Sequence, residues 1–113
     1  HSVFERRGPD LHCRVSVSFI QAILGAEVEV PTLKGKASLK IPGGTQPGEV
    51  LRMKGLGLPA LGGYGTGDQF VEVRVAIPKK LTAEEEELLR KYAELSGDGV
   101  SASEGFFQRF KKK

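Results

Sequence analysis

The sequence predicts a mainly β protein, a small β-sandwich with one short helical turn, followed by a C-terminal α-helix and a tail. Three observations carry this reading. Apolar and polar residues alternate in several separate runs, as they do in strands with one face on a core and one in water. Fifteen Gly and six Pro among 113 residues break those runs up as turns do. One stretch near the C-terminus switches to the wider spacing of an amphipathic helix.

In residues 11–19 the odd positions are Leu11, Cys13, Val15, Val17 and Phe19, and the even ones are His12, Arg14, Ser16 and Ser18. This is the clearest strand. Residues 20–24 lose the alternation and stop at Gly25, which suits a single helical turn closed by a glycine in the left-handed conformation. Val28 and Val30 then alternate with Glu27 and Glu29 up to Pro31, and Ala37, Leu39 and Ile41 alternate with Lys36, Ser38 and Lys40. With Leu33-Lys34-Gly35 between them, these two runs form a hairpin. Nine Gly and three Pro fall in residues 42–68, so the short apolar run at 50–54 is a strand between two loops. Residues 69–77 place Val71, Val73, Val75 and Ile77 on one face and Glu72 and Arg74 on the other, and Pro78 ends the run.

Thr82 and Glu85 have the spacing of a capping box, each side chain satisfying the other's backbone amide. The helix that follows carries Leu88, Leu89, Tyr92 and Leu95 as its apolar stripe, with Glu86–Arg90 and Glu87–Lys91 pairs, and Gly97 is its expected stop. Residues 98–105 read as a linker. The expected division is a sandwich over 1–79 and a helix with tail over 80–113.

Composition narrows the function. Hydrophobic residues at 39% and charged residues at 27% fit a soluble globular chain, and no apolar run approaches the roughly 20 residues of a membrane span. The single Cys excludes an internal disulfide and a multi-cysteine metal site. His1 follows no basic-then-apolar leader, so the chain is expected to be a piece of a longer protein. The net charge of +3 is concentrated in Arg109 and Lys111 to Lys113, a basic end read as solvated rather than as a nucleic-acid site. Phosphate-cradling glycine motifs and a zinc-hydrolase motif are absent. Cys13 shares its face with Leu11 and Val15 and reads as a buried small hydrophobe, and Asp68 after Gly67 reads as a turn residue. The expectation is a non-enzyme with no cofactor and no metal. Phe106, Phe107 and Phe110 lie three and four residues apart, on one side of even a short helix. They are the expected anchors of a homodimer, with Leu88, Leu89, Tyr92 and Leu95 as the receiving stripe.

Several segments in this order resemble the second C-terminal domain of DnaJ, the J-domain co-chaperone family. They are residues 1–11 (His1 to Leu11), 22–35 with Leu24-Gly25, Ile41-Pro42-Gly43-Gly44-Thr45-Gln46-Pro47-Gly48, Arg52-Met53-Lys54-Gly55-Leu56-Gly57-Leu58-Pro59, and Gly67-Asp68 before a strand. The resemblance runs almost end to end, and residues 103–110 look like that family's dimerising tail. It implies a β-sandwich that holds unfolded client polypeptides without catalysis, dimerised through its C-terminus, in a cytoplasmic chaperone that answers heat stress. It also implies a DnaK-type heat-shock chaperone as partner, reached through a J-domain that matches nothing in these residues. Carried over by position, the family's client groove falls between Cys13, Val15 and Val17 on one side and Val28 and Val30 on the other. The same faces serve a sandwich core, so the alternative is a structural spacer and dimerisation module with client binding confined to the upstream domain.

Overall fold

The computed structural model describes residues 3–59, 62 and 65–102; Phe106, Phe107 and Phe110 lie outside them. The chain forms two compact units, His1–Ile77 and Pro78–Lys113.

The first unit runs β1 (Glu5–Arg7), β2 (Asp10–Ser18), α1 (Phe19–Leu24), β3 (Ala26–Thr32), β4 (Gly35–Ile41), β5 (Val50–Met53) and β6 (Gln69–Ala76). One sheet has the order β1-β2-β6-β5, and β3 and β4 form a second. β2 and β6 are parallel, with Cys13 opposite Val71, Val15 opposite Val73 and Val17 opposite Val75. The alternation of both strands therefore falls in phase, and one side of the sheet is almost wholly aliphatic. The hairpin is in phase too, pairing Val28 with Leu39 and Val30 with Ala37. Its inner residues Val30, Leu39 and Ile41 join Cys13, Val17, Met53, Val71 and Val73 in one buried cluster, and each such side chain contributes about 1.5–3 kcal/mol on burial.

Three local details differ from the sequence expectation. β1 was not anticipated, because Glu5-Arg6-Arg7 has no apolar member; it pairs with Asp10, Leu11 and His12 of β2. The helical turn starts at Phe19 rather than after it, since Ser18 caps it: the Gln21 N–H donates to Ser18 Oγ at 3.0 Å, and Gln21 Oε1 accepts from the Ser18 N–H at 2.9 Å. Gly25 has φ 89° but an extended ψ of 154°, not the left-handed pair. It leads straight into β3 where a Cβ would come within 3.1 Å of the Ile41 carbonyl and the Gly43 nitrogen.

In the second unit, α2 (Ala83–Ser96) has the expected capping box. The Glu85 N–H donates to Thr82 Oγ1 at 3.1 Å and the Thr82 N–H to Glu85 Oε1 at 2.8 Å. Three acids occupy its first turn, at the positive end of the dipole. Arg90 pairs with Glu86 at 2.8 Å, and Gly97 closes the helix in the left-handed region.

Candidate functional site

The site begins with the loops that aim β2 and β6. Pro9, Gly57 and Gly67 cross so closely that a Cβ on Gly57 would lie 2.5 Å from the Pro9 carbonyl oxygen. Backbone bonds lock the crossing: the Leu58 N–H to Pro9 O at 2.7 Å, the Gly57 N–H to Gly67 O at 2.9 Å and the Gly67 N–H to Leu58 O at 2.7 Å. Asp68 completes it. Its carboxylate accepts from the Gly55 N–H at 2.8 Å and from Arg52 Nε at 2.7 Å, while its own N–H donates to Asp10 Oδ1 at 2.8 Å. The Gly55 N–H first, with Arg52, holds this carboxyl below the usual carboxylate range against the opposing effect of desolvation. Asp68 is thus more than a turn residue. It fixes where β6 starts beside β2, whose Leu11 N–H donates to the Asp68 carbonyl at 2.9 Å.

Beyond that anchor, β1 covers β2 only from Asp10 to His12. Among the described residues, no strand pairs with the same edge of β2 past His12. Leu11 turns its backbone toward β6, so by strand alternation Arg14 and Ser16 turn their N–H and carbonyl groups to the open edge. The Ser18 N–H is taken by its cap. The edge is short, and α1 follows it with Ile20 and Ile23 exposed.

The five residues assigned to a groove divide in two. Cys13, Val17 and Val30 are 6%, 2% and 0% exposed and belong to the core. Val15 and Val28 are partly open and pack against that core, as does Phe4 beside the edge. Sequence reasoning passed over Gln69, which is fully buried on the same face as Val71 and Val73. Its Nε2 donates to the Pro31 carbonyl at 2.8 Å and to Cys13 Sγ at 3.4 Å. One amide therefore ties the four-stranded sheet to the hairpin. Gln69 Oε1 has no partner among the described residues. The signal was available as parity, since Gln69 lies two residues before Val71 in an alternating strand.

On the outer side of the sheet, His12 and Phe70 stack with ring centroids 5.1 Å apart. Arg14 and Arg74 approach the same Glu72, at 3.6 and 3.8 Å. A cavity of about 510 Å³ lies here, lined by Val3, Arg7, His12, Arg14, Val50 and Glu72 among others. In the second unit, Leu88, Tyr92 and Leu95 are exposed and Leu89 is partly buried. Among the described residues no group of three or more His, Cys, Asp or Glu is placed to hold a metal ion, and no helix is long and apolar enough to cross a membrane.

Comparison with known proteins agrees with the segments that shape this site. The family model of the DnaJ C terminal domain matches residues 1–78, and that of the chaperone protein DnaJ C-terminal region matches residues 84–113. Chaperone protein DnaJ of Halothermothrix orenii is 51% identical over 107 residues, covering 95% of this chain and 28% of its own length. That of Acetivibrio thermocellus is 48% identical over 112 residues, 98% of this chain and 29% of its own. That of Geobacillus sp. is 50% identical over 114 residues, 99% and 30%. The chain spans about three tenths of the length of these relatives. With family models over both units and close to half of all positions shared with each relative, this chain belongs to the DnaJ chaperone family, as a C-terminal region of it.

Proposed function

We propose that residues 1–79 hold extended apolar segments of unfolded client polypeptides along the open edge of β2, and that residues 80–113 pair two copies of the chain. The longer protein then delivers clients to a DnaK-type heat-shock chaperone in the cytoplasm through a J-domain outside these residues. The reading rests on one observation: among the described residues no strand pairs with the outer edge of β2 past His12, while Val15 on that strand and Val28 on the hairpin are only partly buried. An unpaired edge supplies main-chain hydrogen bonds to any sequence, and adjoining aliphatic surface favours apolar side chains without fixing their shape. That combination suits promiscuous, fast-exchanging contacts of micromolar order or weaker. No chemistry is required of the site. For pairing, the support is the exposed stripe of Leu88, Tyr92 and Leu95 on α2, together with the sequence of Phe106, Phe107 and Phe110.

Titration of an apolar peptide into this chain, followed by amide shifts, tests the client reading. Shifts are expected at Arg14 to Ser16 and at Val28; their absence around Val15, Val28 and Val30 would sink it. Val15→Ser, at a partly open position, should weaken binding while leaving the fold intact. A second reading, a structural spacer and dimerisation module, is favoured by the burial of Cys13, Val17 and Val30 in the core, and the same titration separates the two.

A further inference from the structure

We infer that Arg90 straps the segment after α2 onto one face of that helix, and that the strap leaves the opposite face, Leu88, Tyr92 and Leu95, to the C-terminal tail of a second copy rather than to its own. This rests on the pairing reading and names the surfaces that pair. The partly buried residues of α2 are Glu86, Leu89, Arg90 and Ala93, whose spacing sets them on one face. Past Gly97 the chain reverses over that face. The Gly97 and Asp98 N–H groups both donate to the Ala93 carbonyl, at 3.0 and 3.1 Å, and Ser96 Oγ donates to Asp98 Oδ2 at 2.8 Å. Arg90 then ties the returning segment to the helix: its Nε donates to Glu86 Oε2 at 2.8 Å and its Nη1 to the Ser101 carbonyl at 2.7 Å.

Glu86 holds the guanidinium on the N-terminal side of Arg90, so Ser101 lies about 10 Å back along the helix from Gly97, at about 1.5 Å per residue. The residues from Gly97 to Ser101 span at most about 13–14 Å, so the return runs without folding and points toward the start of α2. Leu88, Tyr92 and Leu95 are 61%, 58% and 87% exposed. They stand about 140–160° around the helix from Arg90, whereas Leu89, expected in the same stripe, belongs to the covered side. Half the circumference of a helix 10–12 Å across is about 16–19 Å, and a chain riding over side chains travels further. From Ala102 to Phe106 the backbone spans at most about 13–14 Å. A chain's own Phe106 therefore stops short of its open face, while the tail of a second copy meets no such limit. Charge favours the same occupant. Glu84 and Glu85 lie one turn before Leu88 on the open face, and the tail ends in Arg109 and Lys111 to Lys113, so opposite charges steer the two together.

The experiment mixes isotope-labelled and unlabelled copies of this chain and records filtered nuclear Overhauser contacts beside sedimentation. The rings of Phe106, Phe107 and Phe110 should contact Leu88, Tyr92 and Leu95 between copies. Arg90→Ala keeps a good helix former in place and should raise the dimer dissociation constant about twofold to tenfold, the worth of one hydrogen bond. It should also bring in contacts within a copy, because the freed residues 98–102 lengthen the reach of the tail; a merely structural loss would not do this. Arg90→Lys, which keeps a charged donor, should restore the contacts between copies. The contacts in the parent chain stand as the test should Arg90→Ala lose helix content by circular dichroism. A dimer whose phenylalanines contact the stripe only within a copy, or meet another surface, overturns the inference, as does a dimer unmoved by Arg90→Ala; each leaves the pairing reading standing. A monomer at every concentration overturns both.

Discussion

Replacing Gly67 by Ala should cost this sandwich more stability than any other single methyl group added to its surface loops. A Cβ at Gly67 would overlap the Pro9 carbonyl oxygen, lie 2.5 Å from the Pro9 carbonyl carbon and reach Asp10 Oδ1 at 2.8 Å. Two of these atoms are backbone. They cannot retreat, because the Pro9 carbonyl already accepts the Leu58 N–H at 2.7 Å and Gly67 itself donates to Leu58 O at 2.7 Å. Overpacking in well-filled sites costs about 1–3 kcal/mol, and a clash with bonded backbone belongs in the upper part of that range, at about 2–3. For a unit the size of His1–Ile77, one kcal/mol moves the melting temperature by about 4–8 °C, so a fall of about 8–24 °C is expected. Thermal unfolding followed by circular dichroism measures it. Gly99→Ala is the control, since a Cβ there meets nothing within 4 Å, and its effect should stay within about 0.5 kcal/mol. A Gly67→Ala protein melting within about 2 °C of its parent would refute the claim that the crossing is rigid.

Asp68 has a folded-state carboxyl below its ordinary value of 3.8, so its contribution to stability is fully present above that value and is lost as pH falls through the folded one. Asp68→Asn should flatten the acid limb of a stability-against-pH curve; an unchanged limb would contradict the role given to the Gly55 and Arg52 bonds. Gln69→Glu removes the donor to Pro31 and buries a carboxylate without a partner, an expected loss of about 3–5 kcal/mol. A buried, unpaired carboxyl has a raised folded-state value, so the loss should be full at neutral pH and ease in acid; denaturant midpoints that fall equally at both would count against it. Sedimentation should give a dimer for this chain and a monomer for a version ending at Gly99, because three phenylalanines at about 1.5–3 kcal/mol each are removed. Equal behaviour of the two would exclude the tail as the interface.

The strands with strict alternation were legible from sequence because the inner residues of β2, β3 and β4 are apolar, apart from Thr32 and Gly35 beside the hairpin turn, and their outer ones are polar apart from Pro31. Helix α2 was legible from its cap, its stripe and its closing glycine. What escaped had no local pattern. β1 owes its existence to three partners on β2, a contact that Glu5-Arg6-Arg7 does not advertise. Gly57 and Gly67 look like any loop glycines, yet neither has the positive φ that marks a turn glycine; they are small because two other backbone segments pass there. The groove residues were half legible, since alternation names the inner face but not how far the second layer reaches. Here the hairpin covers Cys13 and Val17 and leaves Val15 partly open.

On the proposed function, that incomplete cover lets β2 both fill the core and meet a client. The inner face of β2 has to be consumed for the sandwich to be stable, so a binding site made of the whole face would compete with folding. A client held at the edge, as proposed, would avoid that competition, since the groups offered there are main-chain donors and acceptors that the core does not need. An open edge brings a hazard, because it can pair with the same edge of another copy. Arg14 opposes it, because two copies paired antiparallel about this residue would set like charges directly opposite, which is destabilising. Arg14 is exposed, so Arg14→Gln should leave the fold intact and raise association of a version ending at Gly99, measured by sedimentation; unchanged association would refute this role.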